Sequence, residues 1–203
     1  MLNEIVLLTG GVEGPHLAMV LNNHNPDLSI VCAETASELE AACLGPDRDQ
    51  NSPPRLIAYC TNVIVPASVL DAVHAPAYNF HPGPPTYPGA HAAGFAIYDG
   101  AAHFGVTAHE MERSVDSGVI VGVDWFDLPE NSRFTDLELK AYGQLLQLFN
   151  RLAPWLATNA DPIPALDMGW GERKTTSADV ERMKELDADM SEEEIKRRWR
   201  AFG

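Results

Sequence analysis

A proline-rich stretch carries two polar side chains whose types and spacing suit carbonyl chemistry. Asn79 and His81 stand two residues apart in NFHPGPPTYPG, directly after Ala77 and Tyr78. Side chains two residues apart in an extended segment lie on the same face. An amide can donate a hydrogen bond to a developing oxyanion, and an imidazole can donate to the same oxygen or move a proton. The stiff loop that follows would hold this pair in place, since prolines restrict the chain.

The elements before this loop alternate between short apolar runs and amphipathic stretches. We predict strands over 5–9, 29–33, 55–60, 78–81, 105–111 and 119–126, and helices over 15–21, 36–44, 66–73, 89–98 and 135–156. Such alternation predicts an α/β fold with an open, mostly parallel, Rossmann-like sheet and helices on both faces. Ligands bind beyond the carboxyl ends of the strands in these sheets, which is where Asn79 and His81 fall.

The composition changes near the end of the predicted long helix. We predict that this helix starts with a capping box, Thr135-x-x-Glu138. Residues 1–157 are predicted to form the main domain, and residues 158–203 a linker with a C-terminal helical extension. A second box, Ser191-x-x-Glu194, opens a helix that we expect to dock on its own domain, on a second copy in a homodimer, or on another partner.

Composition and charge exclude several classes of function. The 203 residues carry a net charge of -15, which repels phosphate backbones and argues against a nucleic-acid partner. The three cysteines form no metal-binding pattern and favour free thiols in a reducing compartment. No stretch approaches the ~20 apolar residues of a membrane span, so we expect no membrane partner and a cytoplasmic location.

Taken in order, the motifs resemble the folate-dependent formyltransferases, a family that includes the methionyl-tRNA, glycinamide ribonucleotide and sugar N-formyltransferases. The resemblance rests on Asn79-x-His81-Pro82, the proline-glycine loop, Gly105-Val106-Thr107-x-His109 and Asp116-x-Gly118-x-Ile120. It covers about 5–156 and implies that the catalytic domain of such an enzyme spans 1–157. The implied activity is formyl transfer from the co-substrate 10-formyltetrahydrofolate to a primary amine of a small molecule.

The chemistry of this reaction gives roles to three residues. Attack of an amine on the formyl carbon produces a tetrahedral intermediate that bears an oxyanion. Asn79 and His81 can stabilise this oxyanion, with His81 as an imidazolium. Asp116 is expected to raise the pKa of His81, fix its tautomer and handle the proton of the amine. His109 is interpreted as a structural or supporting histidine.

The resemblance also implies binding residues. The cofactor-binding residues would be Ile64, Val65, Met111, Glu112, Arg113 and Val115. The residues that bind the amine substrate would be Gly10, Gly11, Pro82, Gly83 and Tyr87. The Gly10–Gly11 turn lies where purine-pathway relatives hold a substrate phosphate. This chain has Tyr87-Pro88-Gly89 where many relatives have an aromatic residue, Arg and Gly. The acceptor is therefore left open, with a sugar nucleotide amine or another metabolite amine favoured over tRNA.

Four alternatives remain. The chain could be a formyltetrahydrofolate-binding module without catalysis, or a hydrolase of that folate. His81, His109 and Asp116 could form a metal site, although we predict no metal because their spacing lacks the usual ligand patterns. The glycines after the first strand are a weak dinucleotide signal, since they do not form GxGxxG.

Overall fold

A computed structural model of the protein describes residues 2–46, 48–49 and 51–203. Its elements in chain order are β1 (Glu4–Leu8), α1 (Glu13–Asn22), β2 (Ser29–Ala33), α2 (Ala36–Leu44), β3 (Arg55–Tyr59), α3 (Ala67–Leu70), β4 (His74–His81), α4 (Ala92–Asp99), β5 (His103–Glu110), β6 (Ile120–Asp127), α5 (Phe134–Thr158), α6 (Ser177–Lys184) and α7 (Glu192–Phe202).

One sheet has the strand order β2-β1-β3-β4-β5-β6. The first four strands pair in parallel, and β5 and β6 continue the sheet in antiparallel fashion. The predicted open, mostly parallel sheet is confirmed. After β1 the chain turns outward to β2 and then returns to the other side of β1 for β3. This reversal leaves a crevice beyond the carboxyl ends of β1 and β3, the usual ligand position in such sheets.

Both faces of the sheet are covered by helices. Ile5 and Leu7 of β1 are fully buried on the face that α1, α4 and α5 cover. Val6 and Leu8 are fully buried on the opposite face, under α2 and α3. Burial on both sides explains why β1 is a continuous apolar run instead of an alternating one.

The helix starts differ from the prediction in one respect. The box predicted at Thr135 is wrong: α5 begins at Phe134 after Arg133, and no side chain of the described residues caps it. Its stability comes from the apolar stripe that it buries against the sheet. A complete capping box instead opens α2, where Thr35 accepts the N–H of Glu38 and the Glu38 carboxylate accepts the N–H of Thr35.

The C-terminal residues pack on their own chain. α7 buries Phe202 against Phe95 of α4, with ring centroids 5.0 Å apart. The Ser191 side chain accepts the N–H of Glu194 as predicted, but the Glu194 carboxylate turns away and accepts the hydroxyl of Tyr98. Trp199 of the same helix is 72% exposed. The short helix α6 was not predicted.

A buried arginine ties the last turn of α5 to the sheet. Arg55 of β3 is fully buried, and its guanidinium donates to the carbonyls of Leu156, Asn159 and Ala160 at 2.7–3.0 Å. It also lies over the Tyr78 ring, 5.6 Å from the centroid. The guanidinium of Arg55 therefore satisfies three carbonyls at and just beyond the end of the long helix, next to the Ala157 carbonyl that accepts from the Asn25 side chain.

We expect Arg55→Met to lower the free energy of unfolding by about 3 kcal/mol, because buried carbonyls lose a charged donor that water cannot replace. Urea unfolding at neutral pH measures this change. Arg151→Met is the matched control: Arg151 is 53% exposed and pairs with Asp124. Such a surface pair is worth about 0–1 kcal/mol. Equal effects of the two substitutions would contradict the assigned role of Arg55.

Candidate active site

Two neighbouring strands place the predicted polar residues side by side. Asn79 of β4 is directly opposite His109 of β5 in the antiparallel register. The Asn79 Nδ2 atom lies 3.0 Å from Nε2 of His109. His81 comes two residues later, at the carboxyl end of β4, and the structure thus brings both predicted residues to the same edge of the sheet.

The tautomer of His109 follows from its contacts. Its Nδ1 lies 2.7 Å from the carbonyl oxygen of Glu110, and a carbonyl only accepts, so Nδ1 carries a proton. In the neutral ring Nε2 is then an acceptor, which suits the Asn79 amide. One N–H of that amide is used in this contact, and the other can still donate to a ligand. His109 therefore orients Asn79, in agreement with its predicted supporting role.

Asp116 closes the cluster from the loop between β5 and β6. Its Oδ2 accepts the backbone N–H of Gly89 at 2.7 Å and lies 3.6 Å from Nδ1 of His81. Its Oδ1 lies 3.3 Å from Nε2 of His109. The residue adopts a left-handed backbone with φ 45°. Aspartate tolerates this region better than most residues, and such strain often occurs at functional sites.

The carboxylate of Asp116 stays ionised although its side chain is only 2% exposed. Burial raises its pKa, but the contact with His109, the charge that His81 carries once it is protonated at acidic pH, and the Gly89 N–H outweigh that effect and lower the pKa to about 2. Asp116 is therefore ionised at neutral pH and cannot act as a general acid before it has accepted a proton.

The pKa of His81 differs from the expectation. We expected Asp116 to raise this pKa, and Asp116 does act in that direction. Removal from water is the larger effect, because the side chain is only 10% exposed, and it lowers the pKa of His81 below its ordinary value. The resting imidazole is thus neutral at physiological pH. Its Nε2 is buried and has no hydrogen-bond partner within the described part of the chain.

The stiff loop after His81 packs tightly around the cluster. A Cβ on Gly83 would lie 2.5 Å from Nε2 of His81, so only glycine fits there without displacing the imidazole. The carbonyl of Gly83 accepts the hydroxyl of Thr107 at 2.7 Å. Gly89 has φ 96°, and a Cβ on it would lie 2.1 Å from the carbonyl oxygen of Thr175. These two positions explain the glycines of the motif.

The predicted cofactor residues lie on two loops next to the cluster. Ile64 and Val65 follow β3, and Ile64 is 67% exposed. Met111, Glu112, Arg113 and Val115 precede Asp116, and the first is half-buried while the other three are exposed. The guanidinium of Arg113 binds the Asp71 carboxylate at 3.0 Å and links this loop to the end of α3.

The residues predicted to bind the substrate are in two places. Gly10 and Gly11 follow β1 at the crevice, but the carboxylates of Glu13 and Glu34 come within 2.6 Å of where their Cβ atoms would be. Two negative charges disfavour a phosphate at this turn and favour a cationic group.

Pro82 and Gly83 follow His81 in the stiff loop. Tyr87, at the end of that loop, lines a cleft of about 180 Å³ together with Thr86, Phe95, Asp99, Arg173 and Thr175. A larger cleft of about 380 Å³ lies against α5 and α7, and its lining residues include none of the catalytic candidates.

The sequence reasoning missed a residue of the C-terminal segment. Trp170, within the predicted linker and extension of residues 158–203, lies with its ring centroid 4.9 Å from that of His109 and 6.1 Å from that of His81. Its Nε1 donates to the carbonyl of Gly118 at 2.8 Å. The Gly-Trp-Gly triplet at 169–171 is the one local signal that could have indicated a close approach.

The geometry gives the metal alternative no support. Within residues 2–46, 48–49 and 51–203, no group of three His, Cys, Asp or Glu side chains is placed to hold a metal ion. In His109, Nδ1 donates to a carbonyl and Nε2 faces Asn79, which leaves no free lone pair on the neutral ring.

The depressed pKa of Asp116 predicts a pH-dependent contribution to stability. The pKa falls from an ordinary 3.8 to about 2 on folding. The stabilisation of about 2 kcal/mol is therefore present above pH 4 and is lost as the pH falls towards 2. We expect Asp116→Asn, measured by urea unfolding, to be less stable than the wild type by this amount at pH 7 and equally stable near pH 2.

Asp167→Asn provides the control for this measurement, because Asp167 is exposed and should change stability by less than about 0.5 kcal/mol throughout. A constant difference between Asp116→Asn and the wild type from pH 7 to pH 2 would show that the charge of Asp116 is not stabilised by its neighbours.

Comparisons with known proteins agree with the sequence resemblance. Residues 51–141 match the family model described as Formyl transferase. This region contains Asn79, His81, His109 and Asp116. No curated protein matches the sequence.

Solved structures share the fold over almost the whole chain at low sequence identity. A sugar N-formyltransferase from a Shewanella species has a TM-score of 0.75 and 14% identity, with 98% of this chain and 87% of that chain covered. An N-formyltransferase from Helicobacter canadensis, in complex with folinic acid and dTDP-3-aminofucose, has a TM-score of 0.72 and 16% identity, with 100% and 81% covered. A methionyl-tRNA formyltransferase from Clostridium thermocellum has a TM-score of 0.67 and 19% identity, with 98% and 82% covered. The match over 51–141 and the shared fold confirm the resemblance to the formyltransferases.

Proposed function

We propose that this protein transfers the formyl group of 10-formyltetrahydrofolate to a primary amine of a small molecule. The observation that carries the proposal is the juxtaposition of an amide donor, a neutral imidazole and an ionised carboxylate at one strand end. Asn79, His81 and Asp116 supply these groups, and the Asp116 carboxylate lies 3.6 Å from the His81 ring. An acyl transfer to an amine needs all three.

The proposed reaction begins when the amine nitrogen attacks the formyl carbon. The C–N bond forms while the carbonyl π electrons move to oxygen, and the resulting oxyanion accepts the free N–H of Asn79 and a hydrogen bond from His81. Asp116 accepts a proton from the ammonium nitrogen, directly or through His81. The oxyanion then re-forms the carbonyl as the bond from carbon to N10 breaks, and N10 takes the proton that Asp116 had accepted, so that tetrahydrofolate leaves. Atoms and charge balance without any further reactant.

We place the folate on the two loops that carry the predicted cofactor residues. The exposed apolar side chains of Ile64 and Val115 and the half-buried Met111 offer a surface for the flat pterin ring. The neighbour from Helicobacter canadensis was solved in complex with folinic acid. Its shared fold supports a folate co-substrate for this chain.

The acceptor is proposed to be a metabolite amine, with a sugar nucleotide amine as the favoured class. The complex of the same neighbour with dTDP-3-aminofucose supports this class. The phosphates of such a sugar nucleotide would not bind at the Gly10–Gly11 turn, where Glu13 and Glu34 repel anions. The cleft beside Tyr87 is the better position, since the Arg173 guanidinium there is 61% exposed and pairs with Asp99 only at 3.8 Å. The net charge of -15 argues against tRNA.

Location and assembly are part of this proposal. Among the residues that the structure describes, no helix is long and apolar enough to cross a membrane. We propose a cytoplasmic enzyme, because free thiols are typical of reducing compartments. A homodimer through the C-terminal residues stays a prediction that light scattering of the purified protein would check. The exposed Trp199 is a candidate contact.

The test is formyl transfer from 10-formyltetrahydrofolate to a panel of amines, followed by mass spectrometry. We expect His81→Gln and Asp116→Asn each to lower the turnover number by about 10²–10³-fold, because transition-state interactions are lost. Calorimetry should show folate binding within a few-fold of wild type, since neither side chain belongs to the proposed pterin surface.

His103→Gln is the matched control for His81→Gln. His103 belongs to β5 but is exposed and pairs with Asp127 at 3.1 Å, so its replacement should leave turnover unchanged. A folded wild-type protein that binds no 10-formyltetrahydrofolate would overturn the proposed function. Binding without transfer to any amine would favour the non-catalytic module.

A further inference from the structure

A segment of the C-terminal residues crosses directly over the catalytic cluster. We call residues 166–175 the strap. It begins beside β6, where the N–H of Leu166 donates to the carbonyl of Ile120 at 2.8 Å. It ends beside the stiff loop, where Gly89 and Thr175 form a parallel β-bridge. The strap thus runs from one side of the site to the other.

The strap is bonded to the loop that follows His81. The N–H of Gly171 donates to the carbonyl of Pro85 at 2.8 Å, and the N–H of Thr175 donates to that of Pro88 at 3.0 Å. The carbonyl of Thr175 in turn accepts the N–H of Ala90 at 2.9 Å. These backbone bonds fix the strap on the same loop whose Gly89 N–H holds Asp116.

The strap is also bonded to the loop that carries Asp116. The Trp170 Nε1 donates to the carbonyl of Gly118 at 2.8 Å, and the Lys174 ammonium donates to the Ser114 hydroxyl at 2.9 Å. The strap therefore connects the loop that follows His81 with the loop that carries Asp116. Trp170 is its only described side chain with ring contacts to the two histidines of the site.

The indole of Trp170 lies edge-on to both imidazoles. The interplanar angle is 88° to His109 and 70° to His81, so an apolar ring occupies space that water would otherwise fill. The three polar side chains beneath it are almost fully buried, with 10% of His81, 3% of His109 and 2% of Asp116 exposed.

We propose that Trp170 is a positioning residue of this site, whose indole excludes water from His81 while its N–H holds the Asp116 loop in place. The indole covers the imidazoles as part of the apolar wall, and the hydrogen bond to Gly118 fixes the loop two residues beyond Asp116. The consequence for catalysis rests on the proposed formyl transfer. The effect on the protonation of His81 does not.

The indole is expected to act on the protonation of His81 by keeping water away from the ring. Burial lowers the pKa of His81, whereas Asp116 and a backbone hydrogen bond with Tyr87 raise it and His109 lowers it. Loss of the indole would admit water and weaken the first effect while these neighbours stay. The pKa of His81 should then move upward, towards the value of a free histidine.

The test is an NMR titration of the His81 ring in isotope-labelled full-length protein, with the signal assigned by its loss in His81→Gln. In Trp170→Ala we expect the pKa of His81 to rise. In Trp170→Phe the ring cover remains and only the hydrogen bond to Gly118 is lost, so the rise should be much smaller. Trp199→Phe, in the exposed part of α7, is the matched control and should leave the titration unchanged.

Each outcome separates this inference from the proposed function, because the titration needs no turnover. A folded Trp170→Ala protein in which His81 titrates as in the wild type would overturn the positioning role, whether or not the enzyme transfers formyl groups. If Trp170→Ala does not fold, the Trp170→Phe protein decides. A pKa of His81 close to the wild-type value in that protein supports the role of the ring, and a pKa equal to that of a fully exposed histidine would contradict it.

Discussion

Asp116 carries a negative charge that the fold removes almost completely from water, and the surrounding structure compensates for that loss. A buried carboxylate is tolerated when it is paired and hydrogen-bonded. Here the Gly89 N–H donates to Oδ2, and the His109 and His81 rings lie 3.3 Å and 3.6 Å from the carboxylate oxygens. Each comes from a different segment, and Asp116 meets them with a left-handed backbone. The stiff loop, both central strands and the loop after β5 must therefore assemble before the charge is stable.

The same arrangement explains why the imidazole beside this carboxylate is neutral. A carboxylate usually favours the charged form of a neighbouring histidine. At 3.6 Å the contact with Asp116 is longer than a hydrogen bond, so its effect is weaker than the loss of hydration around His81. A neutral ring next to an ionised base suits an acceptor that arrives as an amine and must lose a proton.

The sequence was sufficient for the parts of the site that local patterns encode. Asn79 and His81 could be placed on one strand end because a two-residue spacing has a definite meaning in an extended chain. The alternation of elements gave the sheet, since apolar runs covered on both faces are typical of parallel strands. The capping box predicted at Thr135 was wrong because burial of the apolar stripe, and not a cap, decides where α5 begins. The direction in which the pKa of His81 shifts depends on burial, which no local pattern reveals.

Local patterns could not predict that Trp170 lies at the site, because it contacts residues that are far away in the chain. The sheet alone leaves the carboxyl ends of its strands open to solvent, and a neutral imidazole needs a cover there. The strap supplies this cover, and it is held in place by backbone bonds to Pro85 and Pro88, whose rings cannot donate but whose carbonyls accept. The prolines of the opening motif therefore act in two ways: they stiffen the loop that carries His81, and they present acceptors to the segment that closes the site.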